Sequence, residues 1–99
     1  MSELTYVTAT MIARDGMESD LEKVLVGVLA DVRAEDGCLR YDLHKSDDGN
    51  TFLFYEIWQS MAALAAHGNT PHMKAMQDAA ADLVAGPAKV NTWQVVAVV

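Results

Sequence analysis

The segment from Thr51 to Trp58 (TFLFYEIW) constrains the fold of this chain more than any other. Its residues alternate between two faces, and both faces are largely apolar, which is typical of a central strand. The segment holds one charged residue, Glu56. A buried carboxylate needs a partner, because desolvating an isolated charge costs several kcal/mol or more. We expect that partner to be His67 or His72, which flank a helix break shortly downstream.

The other segments predict three more strands and three helices. The strands are rich in β-branched and aromatic residues, whereas the helices are marked by helical spacing of apolar residues or by start and stop signals. The predicted strands are Leu4–Ala13, Cys38–Ser46 (at an edge) and Lys89–Val99, and the predicted helices are Met17–Glu35, Met61–His67 and Thr70 to about Ala85. This β-α-β-β-α-β order predicts an α+β, ferredoxin-like fold, an antiparallel sheet with its helices on one face.

Helix starts are marked by side chains that can act as caps. Ser19 and Glu22 fit a capping box near the start of the first helix. Ser60 is a candidate N-cap for the second helix, and Thr70 with Pro71 predicts the N-cap and first residue of the third.

The apolar content bears on assembly, because 52% of the 99 residues are hydrophobic in a chain with room for one core. We expect one domain, residues 1–99, with an apolar surface left on the bare face of the sheet. A second copy packed sheet to sheet is the simplest cover, so the sequence predicts a homodimer, that is, a dimeric α/β barrel.

The net charge of −7 argues against a nucleic-acid partner or an anionic membrane surface, since both are bound by clustered Lys and Arg. The acidic residues of the first half, Glu35 among them, are interpreted as a solvated helix face. Cys38 is the one cysteine, so no intramolecular disulfide is expected. Without a signal peptide or a membrane-spanning run, a cytoplasmic location is expected.

Glu56, His67 and His72 are the candidate catalytic residues. His72 would be the second residue of its helix, where the dipole favours the neutral imidazole that abstracts protons. Structural roles are the alternatives: a first-turn residue for His72, a packed or surface residue for His67, and an ion pair between subunits, for example with Arg40, for Glu56. No HxxxH or HExxH pair and no nucleotide, flavin or nicotinamide motif occurs, so neither a metal site nor a cofactor is predicted.

Aromatic residues are candidates for substrate binding, although most of them should serve the core or the dimer interface. One or two with an accessible polar tip would suit an aromatic substrate. The candidates are Tyr41, Tyr55, Trp58 and Trp93.

The runs YEIWQS and AAHGNTPHMKAM, with the EDG turn (Glu35, Asp36 and Gly37), resemble those of the antibiotic biosynthesis monooxygenase family, particularly its small quinol-monooxygenase-like members. The resemblance covers nearly the whole chain, and its specific parts are Glu56-x-Trp58 and the run from His67 to His72. It implies a dimer of ferredoxin-like subunits that oxygenates hydroquinones, naphthols or anthrones with dioxygen and without flavin or metal. His67 would be base or anchor, Glu56 its orienting partner, and Trp58, Tyr55 and Asn69 walls of the pocket.

Two related families and one non-enzymatic function are the alternatives. The residues that haem-degrading relatives use fall near Ala9, His67 and Gln77, which do not match, so haem degradation is not expected. An isomerase of a phosphorylated autoinducer sugar-dione has a similar run, but it needs a phosphate site from Arg40, Lys45 or Lys74. A dimeric ligand-binding domain would need no chemistry at all.

Overall fold

The computed structural model describes residues 3–98 and contains a four-stranded antiparallel sheet. The strands are β1 (Thr5–Ile12), β2 (Cys38–Lys45), β3 (Thr51–Trp58) and β4 (Lys89–Trp93). The helices are α1 (Glu18–Gly27), α2 (Leu29–Arg33), α3 (Met61–Gly68) and α4 (Pro71–Ala80). The strand order is β2-β3-β1-β4, which confirms the predicted ferredoxin-like fold with β3 central and β2 at an edge.

Residues of β3 alternate between a covered and an open face of the sheet. Those under the helices are at most 3% exposed, whereas those on the open face are half-buried. The covered set is Phe52, Phe54, Glu56 and Trp58, and the open set is Thr51, Leu53, Tyr55 and Ile57. The apolar stripe of the first helical region closes the same core through Leu21, Leu25, Val28 and Val32.

The first helical region differs from the prediction of one helix, Met17–Glu35. It is interrupted at Val28, directly after Gly27, a residue of low helix propensity. The predicted capping box at Ser19 is also wrong, because the helix begins at Glu18 and its N-cap residue, Met17, makes no side-chain cap. Ser19 therefore lies inside the first turn.

The caps of the later helices are confirmed. The Ala63 N–H donates to Ser60 Oγ at 3.1 Å, and the Met73 N–H donates to Thr70 Oγ1 at 3.3 Å. Pro71 follows at the first helical position, which makes His72 the second residue of α4.

The last helix and the last strand are shorter than predicted. After Ala80 the backbone turns to pair with the end of β1, where the Ala85 N–H donates to Ile12 O at 2.7 Å, so α4 does not reach Ala85. Strand β4 ends at Trp93, which pairs with Tyr6. Since β4 runs antiparallel to β1 and β1 starts at Thr5, little of β1 is left for a longer β4 to pair with. The predicted end of this strand, Val99, lies outside the described residues.

Among residues 3–98, no helix has the length and apolar character needed to cross a membrane.

Candidate active site

A cavity of about 410 Å³ lies between the covered face of the sheet and helices α3 and α4. Most of its wall is apolar, and it includes Met11, Phe54, Met73, Met76, Val84 and Val90. Four of its lining residues are polar or titratable: Tyr41, Glu56, His67 and Gln77. A mostly apolar cavity with a few polar groups is the usual form of a small-molecule site.

Glu56 is placed in the cavity wall by its inward position on β3 and is 3% exposed. Its Oε1 accepts a hydrogen bond of 2.9 Å from Trp58 Nε1, which lies two residues on along the same face. Burial raises the pKa of the Glu56 carboxyl, while the Trp58 hydrogen bond and the charge of His67 oppose that rise. This carboxyl therefore binds a proton more readily than a solvated one.

His67 lies near the end of α3 and is 5% exposed. Its ring packs against Trp58, with ring centroids 4.5 Å apart, and meets the Tyr41 ring edge-on at 5.6 Å. Its Nδ1 lies 2.9 Å from Glu35 Oε2. The imidazole is thus held on three sides while it lines the cavity.

Glu35 is shared by two histidines, because His72 Nε2 lies 2.7 Å from the same Oε2 atom. Glu35 belongs to the turn between α2 and β2, and its side chain is 11% exposed. The predicted pairing of Glu56 with a histidine is therefore wrong: both imidazoles bind Glu35, and Glu56 binds Trp58. Within the chain, Arg40 contacts Asp42 at 3.4 Å, and the alternative of an ion pair between Glu56 and Arg40 of a second subunit stays a prediction.

Tyr41, on β2, is 2% exposed and lines the cavity between Phe54 and His67. Burial and the nearby carboxylates of Glu56 and Glu35 raise its pKa well above the ordinary value for a tyrosine. The phenol stays protonated at neutral pH and can donate a hydrogen bond into the cavity.

Residues 5–79 match the model of the family described as antibiotic biosynthesis monooxygenase. The chain belongs to this family.

Individual relatives agree over most of the chain. The Mycobacterium tuberculosis protein Rv0793 is 32% identical over 91 residues, which are 92% of this chain and 90% of Rv0793. The structure of Rv0793 superposes with a TM-score of 0.88 and covers 96% of this chain and 97% of its own. PA3566 from Pseudomonas aeruginosa is 35% identical, with a TM-score of 0.90 and 98% of both chains covered.

A third relative is longer than the matched region. The Synechocystis protein sll1783, described as uncharacterized, is 34% identical over 64 residues, which are 64% of this chain and 44% of sll1783. The match thus spans less than half of that relative.

Four of the predicted substrate-binding residues do not line this cavity. Tyr55 and Trp93 lie on the open face of the sheet, beside a shallow depression there. Trp58 is 0% exposed and lies behind Glu56 and His67. Asn69 is exposed, and its Nδ2 donates to Ala65 O at 3.0 Å. Strand alternation alone separates Tyr55 from Trp58, so these two could not wall one pocket.

Several residues of this candidate site were not predicted from the sequence, above all Glu35, which was interpreted as a solvated acid. Antiparallel pairing sets Cys38 opposite Trp58, so the EDG turn lies beside the junction of β3 and α3. That register was the signal that could have found Glu35. Met73, Met76 and Gln77 follow from the inward face of α4.

No group of three or more His, Cys, Asp and Glu side chains within residues 3–98 is arranged to hold a metal ion.

Proposed function

We propose that this protein is a cofactor-independent monooxygenase that oxidises a small electron-rich aromatic compound, such as a hydroquinone, a naphthol or an anthrone. The observation that carries the proposal is the polar wall of the cavity, where a buried imidazole, carboxyl and phenol meet in apolar surroundings. Membership of the monooxygenase family supports it.

The first step is removal of the substrate hydroxyl proton by the His67 imidazole. A deprotonated, electron-rich phenol can pass one electron to dioxygen, and an apolar cavity keeps water away from the radical pair. Tyr41 remains a phenol and can donate a hydrogen bond to the substrate oxygen. When the Glu56 carboxyl beside His67 is ionised, it stabilises the imidazolium that proton abstraction produces.

The chemistry balances without an external reductant. Superoxide and the substrate radical combine at a ring carbon, and the resulting peroxide takes the proton back from the His67 imidazolium. Loss of a proton from that carbon then forms the carbonyl as the O–O bond breaks, and the departing hydroxide combines with a proton to give water. Substrate supplies all the electrons, and each oxygen atom of O₂ is accounted for.

The charge of the cavity favours a neutral substrate. Its lining residues include the carboxyl of Glu56 but no Lys and no Arg within the described chain. A phosphorylated sugar-dione would bring a dianion toward that carboxyl without a cation to bind it. The cavity therefore does not favour the isomerase alternative.

Oxygen uptake by metal-stripped protein with a panel of hydroquinones, naphthols and anthrones tests the proposal. We expect uptake stoichiometric with product, unaffected by chelator, and reduced on the order of 10² to 10⁴-fold in His67→Gln, as for loss of a general base. His44→Ala is the matched control, because His44 is exposed on the edge strand β2.

Each result has a clear consequence. Uptake that His67→Gln leaves unchanged overturns the role of His67. Aromatic binding without uptake by any compound overturns the oxygenase and indicates a ligand-binding domain.

We further propose that the working form is a homodimer whose subunits pack through the open faces of their sheets. The apolar side chains on that face support this, including Leu53, Ile57 and the 55% exposed Trp93.

A further inference from the structure

We propose that Glu35 is a positioning residue that holds His67 in one tautomer. His72 restrains the Glu35 carboxylate, and both Glu35 and His72 lie outside the cavity lining. In this arrangement His67 Nδ1–H donates to Glu35, and the lone pair of Nε2 is left for the substrate. The inference rests on the proposed function in taking His67 as the base, and it identifies which of the two histidines acts.

Hydrogen-bond geometry fixes the tautomer. An ionised carboxylate only accepts, so an imidazole nitrogen 2.9 Å from Glu35 Oε2 must donate its hydrogen. A neutral imidazole carries one N–H, and the other nitrogen then holds a lone pair. The nitrogen beside the carboxylate is Nδ1, so the lone pair stays on Nε2. His67 lines the cavity and Glu35 does not, which leaves Nε2 as the nitrogen for proton abstraction.

The second histidine restrains the carboxylate. His72 Nε2 lies 2.7 Å from the same Oε2, so two N–H donors from different helices converge on one oxygen. The His72 side chain is 22% exposed, against 7% for His67, and His72 does not line the cavity. His72 is therefore placed to hold Glu35 rather than to reach substrate.

The turn that carries Glu35 is packed tightly against the start of α3. Gly37 has φ +84°, and a Cβ added there would lie 2.7 Å from Ala63 Cβ. Gly37 O accepts from the Gln59 N–H at 2.8 Å, and Glu35 O accepts from the Cys38 N–H at 3.2 Å. The turn is thus closed by its own hydrogen bond and tied to the junction of β3 and α3, which gives the carboxylate a defined position relative to His67.

Imidazole ¹⁵N chemical shifts of the substrate-free protein test the tautomer directly. The three histidines are assigned with His44→Ala and His72→Ala variants. We expect His67 protonated at Nδ1 in the wild type and in Glu35→Gln, whose amide oxygen can still accept. Glu35→Leu should lose this preference, and Asp36→Asn, which changes the exposed neighbouring acid, should keep it.

Kinetics provide the second readout. Glu35→Leu should lower kcat on the order of 10²-fold with little change in KM, because Glu35 acts through the base and does not contact substrate. Glu35→Gln should restore most of kcat, and Asp36→Asn should leave it unchanged. A residue that only stabilised the fold would shift Tm without altering the tautomer.

Failure of the inference differs from failure of the proposed function. Wild-type His67 protonated at Nε2 overturns the role of Glu35 even if Glu35→Leu unfolds. A tautomer unchanged in folded Glu35→Leu overturns that role even if turnover is normal. The expected tautomer with no oxygen uptake by any substrate leaves Glu35 as the partner of His67 and overturns only the oxygenase.

Discussion

Glu56 and Trp58 lie two residues apart on one face of β3, and a hydrogen bond between their side chains offsets part of the desolvation cost of the buried carboxyl. The indole N–H is a neutral donor, so it satisfies one carboxyl oxygen at 2.9 Å without adding a second buried charge. Burial still raises the pKa of this carboxyl above its ordinary value. The stability of the fold should therefore depend on pH through the titration of Glu56.

Glu56→Gln should raise stability at neutral pH and have little effect in acid. Below the unfolded-state pKa, about 4.5, the carboxyl is neutral in both states. As pH rises toward the higher folded-state pKa, the folded protein binds more protons than the unfolded chain, so wild-type stability falls. The amide never ionises. We expect thermal unfolding to show a Tm gain of a few degrees at pH 7 that vanishes near pH 4, since ~1 kcal/mol moves Tm by roughly 4–8 °C in a domain of this size.

Asp78→Asn is the control for this experiment, because Asp78 is a highly exposed acid paired with Lys74 on α4. Its Tm should follow that of the wild type at both pH values. A lower Tm for Glu56→Gln at pH 7 would contradict the argument, since it would mean that attraction to His67 outweighs the cost of burial.

The sequence could predict residues of the site whose environment depends on their own strand or helix. A lone acid in an apolar strand indicated Glu56, and the broken helix indicated His67. Glu35 could not be found in this way, because its role depends on a turn folding back against α3 and α4. Tyr55 was misplaced for a different reason, since the alternation of β3 already put it on the face opposite Glu56.

At the scale of the elements, local hydrogen bonds decided which boundaries were predictable. Ser60 and Thr70 cap their helices with their own side chains, so sequence alone located both starts. The end of α4 depends instead on backbone bonds to the end of β1 and the residues just after it, about 70 residues away, such as Arg14 N–H to Leu83 O at 2.9 Å. No local sequence pattern predicts a backbone contact between residues so far apart in the chain.

The EDG turn allows a prediction at this scale, because two glycines with the same backbone angle differ in their surroundings. Gly37 and Gly49 both have φ +84°, but only Gly37 meets a neighbour, Ala63 Cβ at 2.7 Å from an added Cβ. Gly37→Ala should cost about 2 to 4 kcal/mol in the free energy of unfolding, from backbone strain plus overpacking. Gly49→Ala should cost only the strain, about 1 to 2 kcal/mol.

Urea unfolding of both variants measures the difference. Equal losses would show that α3 moves to admit the methyl group, and the turn would then not be a fixed support for Glu35. A larger loss in Gly37→Ala would support the close packing that the placement of Glu35 requires.

At the scale of the whole molecule, apolar residues on both faces of the central strands made the fold predictable. Helices cover one face, where β1 and β3 bury Val7, Phe52 and Phe54. On the other face, aligned registers put Trp93, Tyr6 and Ile57 in one row across three strands. A row of this kind is unusual on a surface that stays in water.

Sedimentation at micromolar concentration should therefore give a species of twice the 10.8 kDa chain mass. Leu53→Glu places a charge on the open face of β3. A dimer packed sheet to sheet would bury two such charges in its interface, one from each subunit, so this variant should sediment as the single chain. Val26→Glu is the matched control, because Val26 is 50% exposed on α1, away from that face, and should stay dimeric.

A wild type that sediments at the single-chain mass would rule out the dimer. Dissociation by both substitutions would instead point to an interface through the helices or to general destabilisation, which the Tm of each variant distinguishes. If only Leu53→Glu dissociates, the same variant can show whether the cavity needs the second subunit, because the cavity lies on the opposite side of the sheet from Leu53. Oxygen uptake that survives dissociation would mean that each subunit holds a complete site, whereas loss of uptake in a folded single chain would mean that pairing supports the sheet that forms its floor.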